Sequence, residues 1–244
     1  MSNEKARENA TLDIIYVQYQ MSLWYLTYYN ISSREFFCGR ELELLPQYYS
    51  MNIFLLHILS SLAAADHCDK HCIKMILETT QLLYSAWWYG REVFPLPELD
   101  PCPYEPYKPT HKNHPSAIWT RDAPEHYEWL LQLGYALCKE YYQRYGGKFH
   151  KCMSHLDRLQ EMGAPPRVAA ETYSPPAHKI ATTGLPNGIQ YFHCAINDEL
   201  WDECAVYTDG ELNAVETYRK YYCTKPWHLK WYKSTERAPV WFHK

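Results

Sequence analysis

The sequence predicts a mainly α protein, in which one helical core domain carries long proline-rich loops. Residues 67–88 and 124–145 place apolar side chains at three- and four-residue spacing, which is typical of helices seated on a core. Between these segments, a run of prolines excludes regular helix and imposes a stiff, extended loop. The prolines are Pro95, Pro97, Pro101, Pro103, Pro106 and Pro109. A second region rich in helix breakers covers residues 163–188.

Length and composition narrow the class of protein. The 244 residues are enough for one domain with a sizeable core. Because the net charge is −4, a nucleic acid would have to bind at a local basic patch. The nine cysteines lack the regular spacing of a disulfide scaffold, which predicts a reducing, intracellular location. Polar residues interrupt the apolar run at 14–33, and residues 51–65 are short for a bilayer span, so no membrane partner is predicted.

Several further elements are predicted along the chain. Residues 14–29, 150–162 and 211–223 are predicted helices, and the apolar residues 51–65 are expected to lead into the central helix. Pro124 and Glu125 suit the first turn of the helix that follows the proline-rich loop. Within that helix, Glu140 and Arg144 form either an outer support for a site or a surface ion pair. The tryptophan-rich tail, residues 226–242, is expected to dock onto the body of the protein.

The central helix, residues 67–88, is predicted to be two-sided. Its apolar stripe is expected to face the core and to pack against Leu130, Leu133 and Leu137. That stripe consists of Ile73, Ile76, Leu77, Thr80, Leu83, Tyr84 and Trp87. The opposite, polar stripe consists of His71, Lys74, Glu78 and Gln81. Because Met75 and Leu82 border the polar stripe, we expect it to line a groove and not an ordinary solvated surface.

The polar stripe and the loop after the prolines contain the candidate catalytic residues. A lysine flanked by His and Glu in a partly desolvated groove can have a lowered pKa, which a Schiff-base nucleophile requires. Lys74 is therefore the candidate amine, with Glu78 and His71 as acid–base groups. The loop contributes the candidate substrate-binding residues His111, Asn113 and His114. The alternative for Lys74 and Glu78, which stand four residues apart, is a structural ion pair.

A metal site is an alternative interpretation of the same region. In residues 67–72, two histidines and two cysteines each stand one helical turn apart, and such pairs can chelate zinc or another divalent metal. The candidate ligand set is Cys68, His71, His111 and His114. No array of paired CxxC motifs accompanies it, so we predict no cofactor and retain the metal as the alternative.

Aromatic and basic residues alternate around the proline-rich loop and near the C-terminus. Flat rings next to cations suit single-stranded or flipped-out nucleotides, through stacking and phosphate contact. We therefore predict DNA or a nucleotide as the partner, with Tyr107, Trp119 and Arg121 among the substrate-binding residues. The alternative is that the tryptophans belong to the core. The sequence leaves the oligomeric state open.

Several enzyme classes are excluded by missing motifs. The chain has neither a glycine-rich dinucleotide loop nor a Walker phosphate loop, which argues against a Rossmann dehydrogenase or an ATPase. It also has no G-x-S-x-G nucleophile elbow and no HExxH zinc motif.

From Met51 onward, the sequence resembles a family of uncharacterised proteins from bacteriophages and large DNA viruses. Two specific pieces carry the resemblance: CDKHCIKMILETTQLL at residues 68–83 and YKPTHKNHPSAIWTR at residues 107–121. YEWLLQLGYALCKEYYQRYG, AVETYRKYY and the closing PVWF add to it, as does MNIFLLH at a typical family start. The segment AINDEL departs from a family motif that resembles AMPDEY. The match at Met51 implies that residues 1–50 form an N-terminal extension and residues 51–244 a single mainly helical domain.

Some members of this family are labelled as similar to pyrimidine-dimer DNA glycosylases. Those small helical enzymes use an amine nucleophile and a glutamate, so the resemblance implies a viral DNA-repair protein in the host cytoplasm or nucleus. This sequence departs from them because their amine is the N-terminal one, whereas here the motif lies far inside the chain. If the chemistry transfers, a lysine has to replace that amine. The leading hypothesis is therefore a base-excision glycosylase with lyase activity that uses Lys74 and Glu78.

Two other classes of function remain open from the sequence. One is a non-catalytic module whose groove recognises a nucleotide or a partner protein. The other is a metal-dependent hydrolase or nuclease with histidine and cysteine ligands. A nucleotide-binding groove would bind without turnover, and a metalloenzyme would contain stoichiometric metal.

Deleting residues 1–50 is expected to leave a folded domain, because the helical core is predicted to lie entirely in residues 51–244. The measurement is the thermal unfolding of the truncated chain, followed by circular dichroism beside the full chain. Aggregation of the truncated chain would show that residues 14–29 cover core surface.

Overall fold

A computed structural model describes residues 51–90, 105–166, 176–225, 229–233 and 238–242. The chain divides into two units, Met1–Tyr48 and Tyr49–Lys244, and all of the described residues belong to the second. The helix predicted for residues 14–29 and the prolines from Pro95 to Pro103 lie outside the described residues.

Within these ranges the protein is mainly α, as predicted. The helices are α1 (Ser60–Asp66), α2 (Asp69–Gly90), α3 (Pro115–Asp122), α4 (Pro124–Arg144), α5 (Met153–Met162), α6 (Asp198–Cys204) and α7 (Ala214–Cys223). Two short antiparallel pairs of strands accompany them. β1 (Ile180–Ala181) pairs with β2 (Phe192–His193), and β3 (Tyr207–Thr208) pairs with β4 (Glu211–Leu212). Along the described stretches, no helix combines the length and the apolar character that a membrane span requires.

Helix α2 is the centre of the core. It packs along α4 and also contacts α3 and α5. Ile76 and Leu83 of α2 are fully buried, as are Leu130, Leu133 and Leu137 of α4. The packing predicted between these two faces is therefore confirmed for Ile76 and Leu83.

The predicted orientation of α2 is wrong along one edge. Ile73 and Leu77, assigned to the buried stripe, are 39% and 38% exposed, whereas Met75 and Leu82 are fully buried. The reason is a tertiary contact: the buried segment 51–56 and α7 cover the side that was predicted to be a groove. Helical periodicity locates an apolar stripe but cannot reveal a second layer that covers the polar side.

The approach to α2 also differs from the prediction. Residues 51–59 are not helical, and α1 ends at Asp66, so that the extended backbone of His67 separates it from α2. Arg144 holds this break together, because its guanidinium donates to the backbone oxygens of Ala65 and His67 at 2.8 and 2.7 Å. Its Nε donates to Glu140 at 2.9 Å. The Arg144 side chain is 1% exposed, so the predicted alternative of a surface ion pair is wrong.

The C-terminal aromatics dock onto the body, as expected. The indole N–H of Trp231 donates to the backbone oxygen of Asp66 at 3.1 Å, and that of Trp241 donates to the Asp66 carboxylate at 2.9 Å. The backbone N–H of Asp69, at the start of α2, donates to the Lys230 carbonyl at 2.8 Å. The tail therefore closes over the α1–α2 junction.

A charge placed at Ile76 should unfold the domain, whereas the same charge at Ile73 should not. An unpaired buried carboxylate costs several kcal/mol, against a total stability of ~5–15 kcal/mol. Ile73→Asp places the carboxylate at the water boundary of the same helix, so we expect a loss of at most about 1 kcal/mol. Urea unfolding of both variants is the measurement. Equal losses for the two variants would contradict the orientation of α2.

Candidate functional site

Glu78 is the centre of the candidate site. It lies near the middle of α2 and is only 6% exposed. Its Oε1 is 2.9 Å from the Lys74 ammonium, and its Oε2 accepts the backbone N–H of Asn52 at 3.3 Å. Burial raises the pKa of the Glu78 carboxyl, and the nearby Lys74 charge and the Asn52 N–H oppose that rise. The result is an enclosed carboxyl group that accepts a proton more readily than an exposed glutamate.

Lys74 stands at the boundary between this enclosed carboxyl and the solvent. Its side chain is 36% exposed, against 7% for that of Glu78. The exposed edges of Ile73 and Leu77 lie on the same side of α2. The ion pair that the spacing predicted as an alternative is therefore present, and the lysine is its more exposed partner.

The loop that follows the proline run is fastened to the C-terminal half of α2. The Trp88 indole donates to the Tyr107 carbonyl at 2.7 Å, and the Thr110 N–H donates to the Ser85 hydroxyl at 3.2 Å. His111 follows with a left-handed backbone (φ 54°) and an exposed side chain. Its charge is near enough to lower the pKa of Glu78. From the polar side chains of this loop we predict that His111 or His114 lies within hydrogen-bond or water-bridged reach of at least one of His71, Lys74 and Glu78.

The other loop residues are placed differently from one another. His114 caps α3, because its Nδ1 accepts the Ser116 N–H at 3.2 Å and Pro115 occupies the first turn. Burial lowers the pKa of His114 to about 4, so the ring is neutral at physiological pH. Asn113 is exposed on the same loop. His114 was predicted to bind substrate, but its Nδ1 is committed to the helix cap.

His71 does not act with Lys74 and Glu78 as predicted. Its ring stacks on Phe54 with centroids 4.8 Å apart, and its Nδ1 is hydrogen-bonded to the Tyr222 hydroxyl at 2.5 Å. Burial lowers the pKa of His71 to about 3. An imidazole that is neutral and engaged with α7 cannot serve as a general acid at neutral pH.

Two of the aromatic residues assigned to substrate are structural. Trp119 is fully buried, stacks on His126 with centroids 4.4 Å apart and donates its indole N–H to the Tyr191 carbonyl at 2.8 Å. It cannot stack on a base, so its predicted role in substrate binding is wrong. Tyr107 is half-buried and its hydroxyl lies 3.6 Å from the Cys152 thiol, next to α5. Each ring fills space between helices, as most tryptophans and tyrosines do.

Arg121 lies in a basic cluster on the outer side of the loop. Its guanidinium donates to the Lys112 carbonyl at 2.8 Å. The charged groups of Arg121 and Lys112 lie 5.3 and 5.5 Å from the centre of the half-buried Tyr89 ring. Two cations therefore lie against one aromatic ring, on and beside the loop that carries the exposed His111. Tyr89 was not singled out from the sequence.

The structure does not bring together the alternative metal ligands. In the part of the chain that is described, no three His, Cys, Asp or Glu side chains converge as a metal ion would need. Cys68 is fully buried, and burial raises the pKa of its thiol, whereas a metal ligand has to be the thiolate. His71 is bonded to Tyr222 and His114 caps α3, so the set Cys68, His71, His111 and His114 is not a site.

Sequence reasoning missed Asn52 and Tyr218, which support Glu78. The Tyr218 hydroxyl donates to Asn52 Oδ1 at 2.8 Å, and Asn52 in turn contacts Glu78. Both residues are buried, and Tyr218 belongs to α7, far away in the sequence. The available signal was a lone amide in the otherwise apolar segment Met51–Leu56, because buried polar groups are held by partners.

The Glu78 carboxyl should make stability depend on pH in a defined direction. Its folded pKa is raised, so between its unfolded pKa near 4.5 and its folded pKa the native state holds more protons. The free energy of unfolding of the wild type therefore falls as the pH rises through that window. Glu78→Gln has no carboxyl at this position, so its free energy of unfolding does not fall for this reason. We expect the stability of Glu78→Gln minus that of the wild type to increase between pH 4 and pH 7, as measured by urea unfolding.

Glu128→Gln, at an exposed carboxylate of α4, controls for the removal of one negative charge. A Glu78→Gln difference that stays flat or falls with pH would show that the carboxyl is not destabilised by burial.

Comparison with known proteins places no further constraint on this site. No family model, no curated protein and no solved structure matches the chain.

Proposed function

We propose that the chain is a DNA base-excision glycosylase with lyase activity, in which Lys74 is the amine nucleophile and Glu78 the acid–base group. One observation supports this most directly: the ammonium of a solvent-reachable lysine lies 2.9 Å from an enclosed carboxylate. An amine and a carboxyl in contact are the two groups that Schiff-base cleavage of a glycosidic bond needs.

The proposed steps follow from that contact. The Lys74 ammonium passes a proton to the Glu78 carboxylate, which gives a neutral amine and a neutral carboxylic acid. The amine nitrogen then bonds to C1′ of the nucleotide while the bond from C1′ to the base breaks, and the base leaves with the proton from Glu78. The Glu78 carboxylate then takes a proton from the nitrogen and delivers it to O4′ as the bond from C1′ to O4′ breaks, which opens the sugar ring and leaves the protonated iminium. The raised pKa of Glu78 favours the first step, because the enclosed carboxyl holds a proton more readily.

The basic cluster supports a nucleic-acid substrate. Arg121 and Lys112 suit phosphate contact, and the exposed His111 and Asn113 lie on the same loop, fastened to α2. In this proposal these residues bind the strand, whereas His71, His114, Trp119 and Tyr107 maintain the fold around it. The resemblance to the family from bacteriophages and large DNA viruses is consistent with such a substrate.

Borohydride trapping tests the proposal. The full chain is incubated with duplex DNA that contains one abasic site, or with ultraviolet-irradiated DNA, and the iminium is reduced to a stable adduct. We expect an adduct that peptide mapping assigns to Lys74. Lys74→Gln should abolish it, and Glu78→Gln should slow its formation by about 100-fold or more, which is the range for a lost acid–base group.

Lys70→Gln is the matched control, because Lys70 is exposed about one turn earlier on the same helix. It should trap at the wild-type rate. An adduct that survives in Lys74→Gln would remove Lys74 from the proposal. DNA binding without any adduct would remove the reaction and favour the non-catalytic binding module.

A further inference from the structure

A ring of buried hydrogen bonds holds the residue that contacts Glu78. Asn52 is 3% exposed, and its side-chain amide donates to the Ala195 carbonyl at 3.0 Å. Its side-chain oxygen accepts both the Tyr218 hydroxyl and the Ile53 N–H at 2.8 Å. The ring closes because the Ala195 N–H donates to the same Tyr218 hydroxyl at 3.0 Å. Asn52 is therefore fixed from α7 and from the segment before α6.

We propose that Asn52 is a positioning residue for Glu78. Its backbone N–H, held in place by Tyr218 and Ala195, binds Oε2 of the carboxylate and so turns Oε1 toward Lys74. Two partners fix the plane of a carboxylate better than one, and here each oxygen of Glu78 has a different partner. This arrangement decides which oxygen exchanges the proton with the amine. The consequence for catalysis rests on the proposed function, whereas the orientation of Glu78 does not.

The groups that face Glu78 come from three parts of the fold. Lys74 lies on the same helix, His111 acts from the loop, and the Asn52 N–H approaches from the segment before α1. Dissolved ions can screen the charges of Lys74 and His111, because Lys74 is partly exposed and His111 is exposed. They cannot screen the Asn52 N–H, because it is a buried backbone donor. A hydrogen bond to the charged form favours that form, so the Asn52 contact stabilises the carboxylate.

Replacing Tyr218 with Phe tests this proposal without any substrate. The substitution removes the hydroxyl that holds Asn52 and retains the buried ring. Carbon-detected NMR titration of the Glu78 carboxyl, assigned by its absence in Glu78→Gln, gives the pKa directly. We expect Tyr218→Phe to raise the Glu78 pKa by about half a unit or more, because the loosened N–H stabilises the carboxylate less.

Tyr127→Phe is the matched control. Tyr127 is also buried, and its hydroxyl donates to the Leu159 carbonyl at 3.2 Å, away from Glu78. Its loss should reduce stability in the same manner as that of the Tyr218 hydroxyl but leave the Glu78 pKa unchanged. If Tyr218→Phe is folded and its Glu78 pKa equals that of Tyr127→Phe, the positioning role of Asn52 is refuted.

A measurement on the unaltered chain covers the case in which Tyr218→Phe does not fold. The chemical shift of the Asn52 amide proton should change with pH at the pKa of Glu78, and this change should be absent in Glu78→Gln. An Asn52 amide shift that does not change at the Glu78 pKa would overturn the proposal. Borohydride trapping separates the positioning role of Asn52 from the proposed lyase function. If Glu78 titrates as expected but no adduct forms, Asn52 is still the positioning residue and the lyase reaction is ruled out.

Discussion

The hydrogen bond from the Asn52 backbone to the Glu78 carboxylate is the constraint on which the candidate site depends. It ties the segment before α1 to the middle of α2, and through Tyr218 it connects both to α7. A carboxylate that is 6% exposed needs such partners, because the free energy of removing a charge from water is large and unfavourable. With Lys74 on one oxygen and Asn52 on the other, Glu78 is paired, oriented and enclosed at once.

A second buried charge, that of Arg144, organises the N-terminal end of α2. Arg144 donates to the last carbonyls of α1 and to Glu140, and it also lies 3.5 Å from Asp69. These backbone carbonyls have no partner within their own helix, and a planar guanidinium can reach several of them together. The break between α1 and α2 is therefore a fixed corner. Because the tail indoles bond to Asp66 at the same corner, the C-terminal residues stabilise the start of the helix that carries the site.

The sequence predicted the mainly α class, the helices that became α2, α4, α5 and α7, and, as one alternative, the ion pair between Lys74 and Glu78. It did so because helical periodicity and i,i+4 spacing are local properties of the chain. It did not predict the roles of His71 and Trp119, since each is decided by a partner far away in the sequence: Tyr222 engages His71, and the Tyr191 carbonyl accepts the indole N–H of Trp119. It also assigned His114 to substrate, although this residue caps α3 locally. A histidine or tryptophan looks the same in a sequence whether it faces a ligand or the core.

By itself, the sequence determined where four of the seven described helices lie and that Lys74 and Glu78 share one side of α2. Only the tertiary structure decided which sides of α2 face water. The periodicity assigned Ile73 and Leu77 to the core, but the residues around Asn52 and α7 cover the polar side instead and leave that apolar edge exposed. The physical reason is that burial depends on what packs against a face. For α2 the covering residues come from both ends of the domain, and no local pattern contains that information.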